Sequence, residues 1–587
     1  MNPWYNKAAK NQDGDRLSRR ILTIGIFFAL MFGAIGARAF HLHVFQSPWL
    51  SKVASNQVER SVDAREKRGT IYDSKHRELA MSIDVMSIAA SPRRFEDAQS
   101  AAEALSQILD TDKASLLAKL NSERRFVWIK RHVTPREGER IQLLGLDGIS
   151  FIPEHSRFYP NKALAAQLLG FTGIDGHGLE GLEYNFDRHL KGSGQRFTVV
   201  RDALGRRFMP GEFNLFDTRG NDVVLTIDQT VQYIAERTLE AGVNASDAET
   251  GIAIVMVPRT GEILALDNYP YFNPNTFSDF DQTRWRNRAV TDPFEPGSTL
   301  KLFTAAAALE TGIARPETLF FAENGKYRIG RNTIHDEHPR AWISLTQIIQ
   351  YSSNIGAAKL AEKIGPRTLY DTLTRFGFSE KTGIECPGET AGLLLPCRRW
   401  SRMDTSAIAF GQGISVSALQ LVRAVSAIAN DGYLMRPHIL KAILDPNGGL
   451  VQRTQPETIR QVVSSETARD LRNMMTAVVS PEGTGRRAFL KGYRVCGKTG
   501  TAQKVDESKS YSEDKFTASF VGFAPAERPE IAIVVVIDEP KKGSYHGSVV
   551  AAPVFRRIAL EVLDYMNVPP LRGPGGMNAS YPLEITG

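Results

Sequence analysis

The sequence predicts an α+β protein with a single N-terminal transmembrane helix, an elongated spacer module that carries no catalytic constellation, and a C-terminal domain built on an antiparallel sheet with helices on its faces. Three observations carry this. Ile21–Ala37 runs 17 residues without a charge. In the second half, two apolar strand-like runs are followed by helical patterns and then by three more strand-like runs, an order that favours an antiparallel layered domain over a doubly wound parallel one. The chain of 587 residues is too long for one hydrophobic core. Its 42% apolar and 23% charged shares exclude wholesale disorder. Three cysteines cannot build a disulfide framework, and a net charge of +7 over this length does not argue for nucleic acid.

The anchor comes first. Lys7, Lys10, Arg16, Arg19 and Arg20 precede the apolar run against only Asp13 and Asp15. Seventeen helical residues cover about 26 Å, just short of a hydrocarbon core, and Arg38 snorkelling lets Phe40 and Leu42 extend the buried face. The positive flank puts residues 1–20 in the cytoplasm, 21–42 in the membrane and the rest outside. Two readings compete: a cleaved signal peptide, since Ala37-Arg38-Ala39 fits a cleavage site, and a buried soluble helix, which leaves the basic flank unexplained.

A polar connector, Gln46 to Arg60, opens the spacer module of residues 43–220, which mixes strand-like runs with helical stretches such as Ala101–Leu120. The catalytic domain is placed at 221–567 and a Pro/Gly-rich flexible tail at 568–587. Val223–Asp228 is apolar and β-rich, and Gly251–Pro258 and Glu262–Asp267 form a hairpin through Arg259-Thr260-Gly261. Helices are expected at Ser298–Thr311, Leu345–Ile364, Ala418–Asn430 and Thr467–Val479. Strands are expected at Tyr493–Val505, Phe516–Phe523 and Glu530–Ile537, with a closing helix over Val549–Met566.

The chemistry begins at Pro296-Gly297-Ser298-Thr299-Leu300-Lys301. Proline and glycine break the chain, so Ser298 heads a helix and Lys301 follows on the same face one turn later. A serine hydroxyl needs a base, and a lysine serves only when its ammonium is destabilised by burial or a second cation. Alone, the spacing is weak: it recurs at Ser512–Lys515, read as a solvated loop, and Ser298 could be an ordinary helix cap. Tyr351-Ser352-Ser353-Asn354 holds the chain's only Ser-x-Asn; Ser352 and Asn354 share one site if they lie in a helix-to-helix turn, and otherwise solvate a helix end. Lys498-Thr499-Gly500-Thr501 follows a strand-like run. There Gly500 lets a ligand backbone approach an edge strand, Thr499 and Thr501 offer hydroxyls to a carboxylate, and Lys498 adds charge. Lys381-Thr382-Gly383 repeats the tripeptide in a loop.

Nucleophile, Ser-x-Asn 54 residues on, and Lys-Thr-Gly 144 residues beyond Asn354 is the order found in penicillin-binding proteins and serine β-lactamases. Over nearly its whole length the chain resembles a class B penicillin-binding protein, a peptidoglycan D,D-transpeptidase. Arg68-Gly69-Thr70-Ile71-Tyr72-Asp73, Gly178–Glu183, Arg201-Asp202 and Gly205-Arg206 look like boxes of the non-catalytic, dimerisation-like module. Glu295–Thr299 and Phe410-Gly411-Gln412-Gly413 resemble the transpeptidase core, and Ser-Ser-Asn with Lys-Thr-Gly-Thr is closer to the septal enzyme of cell division than to the elongation enzyme. Leu302 departs from the proline that many relatives carry.

The resemblance implies a penicillin-binding fold with an added all-helical subdomain. It assigns Ser298 as the acylated nucleophile, Lys301 as its base, Ser352 as proton relay and Asn354 as the group holding Lys301 and a substrate amide. Lys498 keeps Lys301 neutral and, with Thr499 and Thr501, takes the substrate carboxylate; Ser298 and Thr501 N–H groups form the oxyanion hole. It implies no metal or cofactor and no nucleic acid. The expected partners are peptidoglycan stem peptides, β-lactams, a lipid bilayer through one helix, and a multi-spanning division glycan polymerase with other division proteins at the septum. A hydrolase and a β-lactam-binding receptor or scaffold are the rival classes. His335 and His338 have metal-like spacing but read as a polar loop. Cys386 and Cys397 could pair, and Cys496 reads as a small buried side chain.

Overall fold

A computed structural model describes residues 8–47, 49, 59–63, 67–192, 196–201, 207–208, 219–505 and 510–571. Asp202, Gly205 and Arg206, most of the 46–60 connector and the tail beyond 571 lie outside the described residues. The chain forms two compact units, residues 1–65 with 194–218, and residues 66–193 with 219–587.

In the first unit α1 (Ala8–Phe40) runs on into a π-helical stretch, His41–Phe45, so the helix both starts earlier and ends later than residues 21–42. Over Leu17–Phe45 it is long and apolar enough to cross a membrane, with a mean hydropathy of 1.9. Of its apolar side chains, Ile21, Leu22, Phe27, Leu30 and Phe32 are all more than 60% exposed. Burying each such side chain would contribute about 1.5–3 kcal/mol, so the helix has the length and composition of a candidate membrane span. The unit also holds a three-stranded antiparallel ribbon of Glu59–Asp63, Arg196–Arg201 and Arg207–Phe208.

The second unit opens on a seven-stranded sheet. It contains β1 (Ile71–Tyr72), β2 (Glu78–Ala90), β3 (Val127–Val133), β4 (Ile149–Phe158) and β5 (Asp222–Leu225), with Leu440–Leu444 and Leu450–Arg453. β5 pairs parallel with β1 and antiparallel with Leu440–Leu444. The strand expected at Val223–Asp228 therefore belongs to this sheet, not to the central one. The helical stretch Ala101–Leu120 is two helices, α2 (Ala98–Leu109) and α3 (Lys113–Leu120). Asp110 turns left-handed at φ 48° and Asp112 caps α3 by accepting from the Ser115 N–H, a local aspartate competition that ends one helix and starts the next.

Two of the sequence boxes, Arg68–Asp73 and Gly178–Glu183, meet in space around one buried carboxylate. Glu183 accepts from Arg68 Nε at 2.6 Å and from Arg157 Nε at 2.6 Å, and Arg68 also donates to the Glu183 carbonyl. All three side chains are buried. Arg68 and Glu183 sit 115 residues apart in the chain. Gly69 belongs to the same box because a Cβ there would overlap the Asn221 carbonyl.

The central sheet is five-stranded and antiparallel throughout. It takes β6 (Thr250–Met256), β7 (Ile263–Tyr269), β10 (Cys496–Val505), β11 (Tyr511–Ala524) and β12 (Ile531–Asp538) in the order β7-β6-β12-β11-β10. A two-stranded ribbon, β8 (Leu319–Phe321) with β9 (Trp342–Ser344), lies between its halves in the chain. Both faces are covered. On β12, Ile531, Ile533, Val535 and Ile537 pack with α4 (Gln229–Ser246) and the closing helix Ala552–Tyr565. Ala532, Val534 and Val536 join the larger core on the opposite face. That core includes α5 (Lys301–Glu310), α6 (Leu345–Tyr351), α7 (Asn354–Arg375), α8 (Ala418–Ala429) and α9 (Ser465–Val478). Leu302, where relatives have proline, is fully buried in α5. Helix α4 has no counterpart among the expected helices, and Ser512–Lys515 is part of β11, not a loop, with Ser512 Oγ donating to Asp514 at 2.6 Å.

Candidate active site

Ser298 lies on a 3-10 turn, Gly297–Leu300, that runs directly into α5, so Lys301 opens the α-helix. The turn presses against β10, and two glycines make that approach possible. Gly297 has φ +52°, and a Cβ there would come within 2.7 Å of the Thr501 carbonyl O; a Cβ on Gly500 would overlap Ser519 Oγ and approach the Pro296 carbonyl O to 2.9 Å. The Gly297 N–H donates to the Gly411 carbonyl at 3.1 Å, which anchors the turn to the Phe410–Gly413 segment.

The helix expected over Leu345–Ile364 is interrupted where the site needs it. α6 stops at Tyr351, Ser352 adopts a left-handed φ 61°, ψ 40°, and Ser353 caps α7 by accepting from the Gly356 N–H. In an unbroken helix Ser352 and Asn354 would point about 200° apart. The left-handed residue, which costs roughly 1–3 kcal/mol, turns both side chains toward one lysine.

That lysine is the centre of the site. Lys301 is 1% exposed, and its Nζ lies 2.6 Å from the Ser352 carbonyl O, 2.7 Å from Asn354 Oδ1, 3.0 Å from Ser298 Oγ and 3.2 Å from Ser352 Oγ. The two shortest contacts are to pure acceptors, which take two N–H groups. A neutral amine then has its lone pair left for a hydroxyl proton, and Ser298 supplies the nearer hydroxyl. Lys498, fully buried on the edge strand β10, donates to Ser352 Oγ at 2.9 Å and to the Thr499 carbonyl at 3.2 Å. One serine hydroxyl thus bridges two lysines.

Burial lowers both ammonium groups. Lys301 falls to about 7, against the upward pull of Asp336 and Glu337. Lys498 is driven well below its ordinary value by burial and by the charge on Lys301. Burial, not the field of Lys498, is therefore the main cause at Lys301, and charge on Lys301 further disfavours charge on Lys498. Thr499 Oγ1 lies 3.4 Å from Thr484 Oγ1, and Thr501 Oγ1 accepts from the Gly547 N–H at 3.1 Å. The structure thus brings Ser298, Lys301, Ser352, Asn354, Lys498, Thr499, Gly500 and Thr501 into one cleft between β10 and the α6–α7 turn. The second Lys381-Thr382-Gly383 is elsewhere, wrapped around Glu389, which accepts from the Thr382 and Gly383 N–H groups.

Two residues at the site have no signature in the sequence. Asp336 accepts from Ser353 Oγ at 2.5 Å, from the Asn354 N–H at 2.6 Å and from the Ile355 N–H at 3.0 Å, while Asn354 Nδ2 donates to the His335 carbonyl at 3.1 Å. The His335–His338 segment thus holds the Ser-x-Asn turn through a carboxylate and a backbone carbonyl. Among the described residues no group of three or more His, Cys, Asp or Glu side chains is placed to hold a metal ion. Thr484 donates to the Gln350 carbonyl at 3.2 Å and meets Thr499, so it ties α6 to β10. Cys386, Cys397 and Cys496 are all free thiols, so Cys386 and Cys397 are not paired.

Removing the Asp336 charge gives a signed expectation. Asp336 holds Lys301 up, so Asp336→Asn lowers the lysine further and moves the low-pH limb of Ser298 acylation to lower pH, while the loosened turn lowers the plateau. Acylation rates with a fluorescent penicillin between pH 5 and 9 check both effects; a limb that stays in place or moves up contradicts this account.

Comparison with known proteins agrees with the geometry. Residues 251–560 match the penicillin binding protein transpeptidase domain, and residues 64–225 match the penicillin-binding protein dimerisation domain. The chain is 35% identical to the peptidoglycan D,D-transpeptidase FtsI of Escherichia coli, covering 96% of each, and 35% identical to the probable peptidoglycan D,D-transpeptidase PenA of Neisseria gonorrhoeae, covering 94% of each. Among solved structures it is similar to penicillin-binding protein 3 of Mycobacterium tuberculosis complexed with aztreonam. That match has a TM-score of 0.68 and 30% identity, and covers 87% of this chain and 98% of the other. A dimerisation domain followed by a transpeptidase domain, on a chain with an N-terminal apolar helix, is the organisation of one group, and this chain belongs to the class B penicillin-binding proteins.

Proposed function

We propose that this protein crosslinks peptidoglycan stem peptides by serine acyl transfer from a D-Ala-D-Ala terminus, and that β-lactams inhibit it by acylating the same serine. The observation that carries the reading is the buried Lys301 Nζ 3.0 Å from Ser298 Oγ, with burial lowering its ammonium to about 7. The terminal carboxylate of the donor peptide docks on Lys498, Thr499 and Thr501. Its negative charge favours a protonated Lys498, whose charge in turn disfavours one on Lys301 and keeps that amine free. Lys301 accepts the Ser298 proton as Oγ attacks the penultimate carbonyl carbon, and the N–H groups of Ser298 and Thr501 hold the resulting oxyanion. The C–N bond to the terminal D-alanine then breaks, and Ser352, bonded to both lysines, passes a proton to the departing amine. An amine of a second stem peptide attacks the acyl-enzyme and returns Ser298 as a hydroxyl. The proton that Lys301 took from Ser298 replaces the one Ser352 gave up, and in the second half Lys301 takes the acceptor amine's proton and returns it to Ser298 Oγ.

The basic flank of α1 favours a cytoplasmic N-terminus with residues beyond the anchor outside. Ser-Ser-Asn and Lys-Thr-Gly-Thr support a septal role. The domain division supported best is an anchor, a non-catalytic module to about residue 220 and a transpeptidase domain to 567, with a glycan polymerase of the division machinery as the partner that supplies strands. The test is a two-substrate assay: a D-Ala-D-Ala donor peptide with an amine acceptor. Release of D-alanine coupled to a new amide supports transfer; D-alanine release that ignores the acceptor and ends in the free acid contradicts it, as does sustained nitrocefin turnover in place of a stoichiometric burst.

A further inference from the structure

We propose that the outward face of the β8–β9 ribbon is a subsite for the sugar backbone of the glycan strand whose stem peptide occupies the cleft; this rests on the transpeptidase reading above. In the antiparallel register Phe321 faces Trp342 and Leu319 faces Ser344, while the alternate residues Phe320 and Ile343 point into the core. The ribbon therefore turns Leu319, Phe321 and Trp342 outward together. Trp342 is 63% exposed and Leu319 57%, and the Phe321 and Trp342 rings lie 5.2 Å apart at 44°. An indole left in water forgoes the burial that would stabilise it, so a paired aromatic platform outside the core calls for a partner surface. Pyranose rings offer flat C–H faces to such rings and keep their hydroxyls in water, which suits an open platform better than a pocket. A protein interface needs about 800 Å² per partner, far more than three side chains provide.

The platform is continuous with the cleft. Ser344 caps α6, whose far end delivers Ser352. The three residues from Trp342 and the roughly two turns of α6 cannot place Trp342 more than about 20 Å from Ser352. Two residues before Trp342, Arg340 lies over the Tyr351 ring at 3.7 Å, beside Ser352. Arg340 has no ion-pair partner among the described residues. Arg340, two residues from Trp342 and over Tyr351, places one cation on the path from the aromatic pair to Ser352, where it complements the carboxylates of a sugar-linked peptide.

The experiment uses the full-length protein in detergent, peptide-free glycan strands prepared with an amidase, and the variants Trp342→Ala, Phe321→Ala and Trp342→Phe. The expected result is glycan binding by the wild type, weakened at least tenfold by either alanine and largely kept by Trp342→Phe, with penicillin acylation of Ser298 unchanged in all four. Crosslinking of glycan-linked substrate should fall in the alanine variants while turnover of a short soluble donor peptide does not. Absence of wild-type glycan binding, or equal binding by the alanine variants, overturns the subsite; so does a Trp342→Ala defect limited to protein capture or vesicle binding. Loss of penicillin labelling in the wild type would instead strike the transpeptidase reading.

Discussion

Lys301→Met is expected to slow acylation of Ser298 by about 10³-fold or more while leaving the fold intact, because it removes the general base and fills its volume. Methionine cannot accept the Ser298 proton, and it leaves the Ser352 carbonyl and Asn354 Oδ1 without the donor that holds them at 2.6 and 2.7 Å. The wild-type rate should rise with pH and level off above about 7, since only the neutral amine accepts a proton and burial has brought Lys301 to that value. In the variant the limb disappears along with the rate. Time-resolved labelling with a fluorescent penicillin reads both, and the thermal midpoint checks the fold. A variant acylated within tenfold of the wild type would mean that another group takes the proton.

Glu183→Ala is expected to destabilise the second unit by about 3–5 kcal/mol, the range for stripping one partner from a buried ion pair. Here two guanidiniums lose their shared carboxylate: Arg68, 6% exposed, and Arg157, 3% exposed. Arg68 retains Asp187 at 2.5 Å, whereas Arg157 keeps only the Gly69 carbonyl and the Ser82 hydroxyl. Scanning fluorimetry or circular dichroism should show a midpoint several degrees lower, with Glu183→Gln falling between the variant and the wild type. An unchanged midpoint would show that the cluster contributes nothing net.

How far the molecule could be read from its residues follows from what each residue depends on. Ser298, Lys301, the Ser-x-Asn and the Lys-Thr-Gly-Thr are each weak alone and are grouped by the resemblance of their order to a known family; the structure brings their side chains together. Asp336 and Thr484 were not legible, because each acts through a contact between segments distant in sequence, and a lone Asp or Thr has no spacing to betray it. The left-handed Ser352 hides inside what reads as one continuous helix, since serine carries no glycine-like signal for positive φ. Ala101–Leu120 looked like one helix because its apolar positions continue past Asp110, and only the Asp112 cap divides it. Helix α4 was overlooked because Gln229–Ser246 is polar on its outer side, and its buried stripe, Val231, Ile234, Leu239 and Val243, is sparse. Ser512–Lys515 reads as solvent-facing charge, yet it extends a strand whose inner half, Ala518–Phe523, is fully covered. The Arg68 and Glu183 boxes were recognisable as patterns, but the ion cluster that makes them necessary is visible only in three dimensions.

Peptide mapping by mass spectrometry after incubation with benzylpenicillin tests the central claim most directly. The account predicts a single, slowly released adduct on the Ser298 hydroxyl, formed faster as pH rises from 6 to 8. An adduct on any other side chain, or a Ser298 adduct whose rate is indifferent to pH across that window, would contradict it.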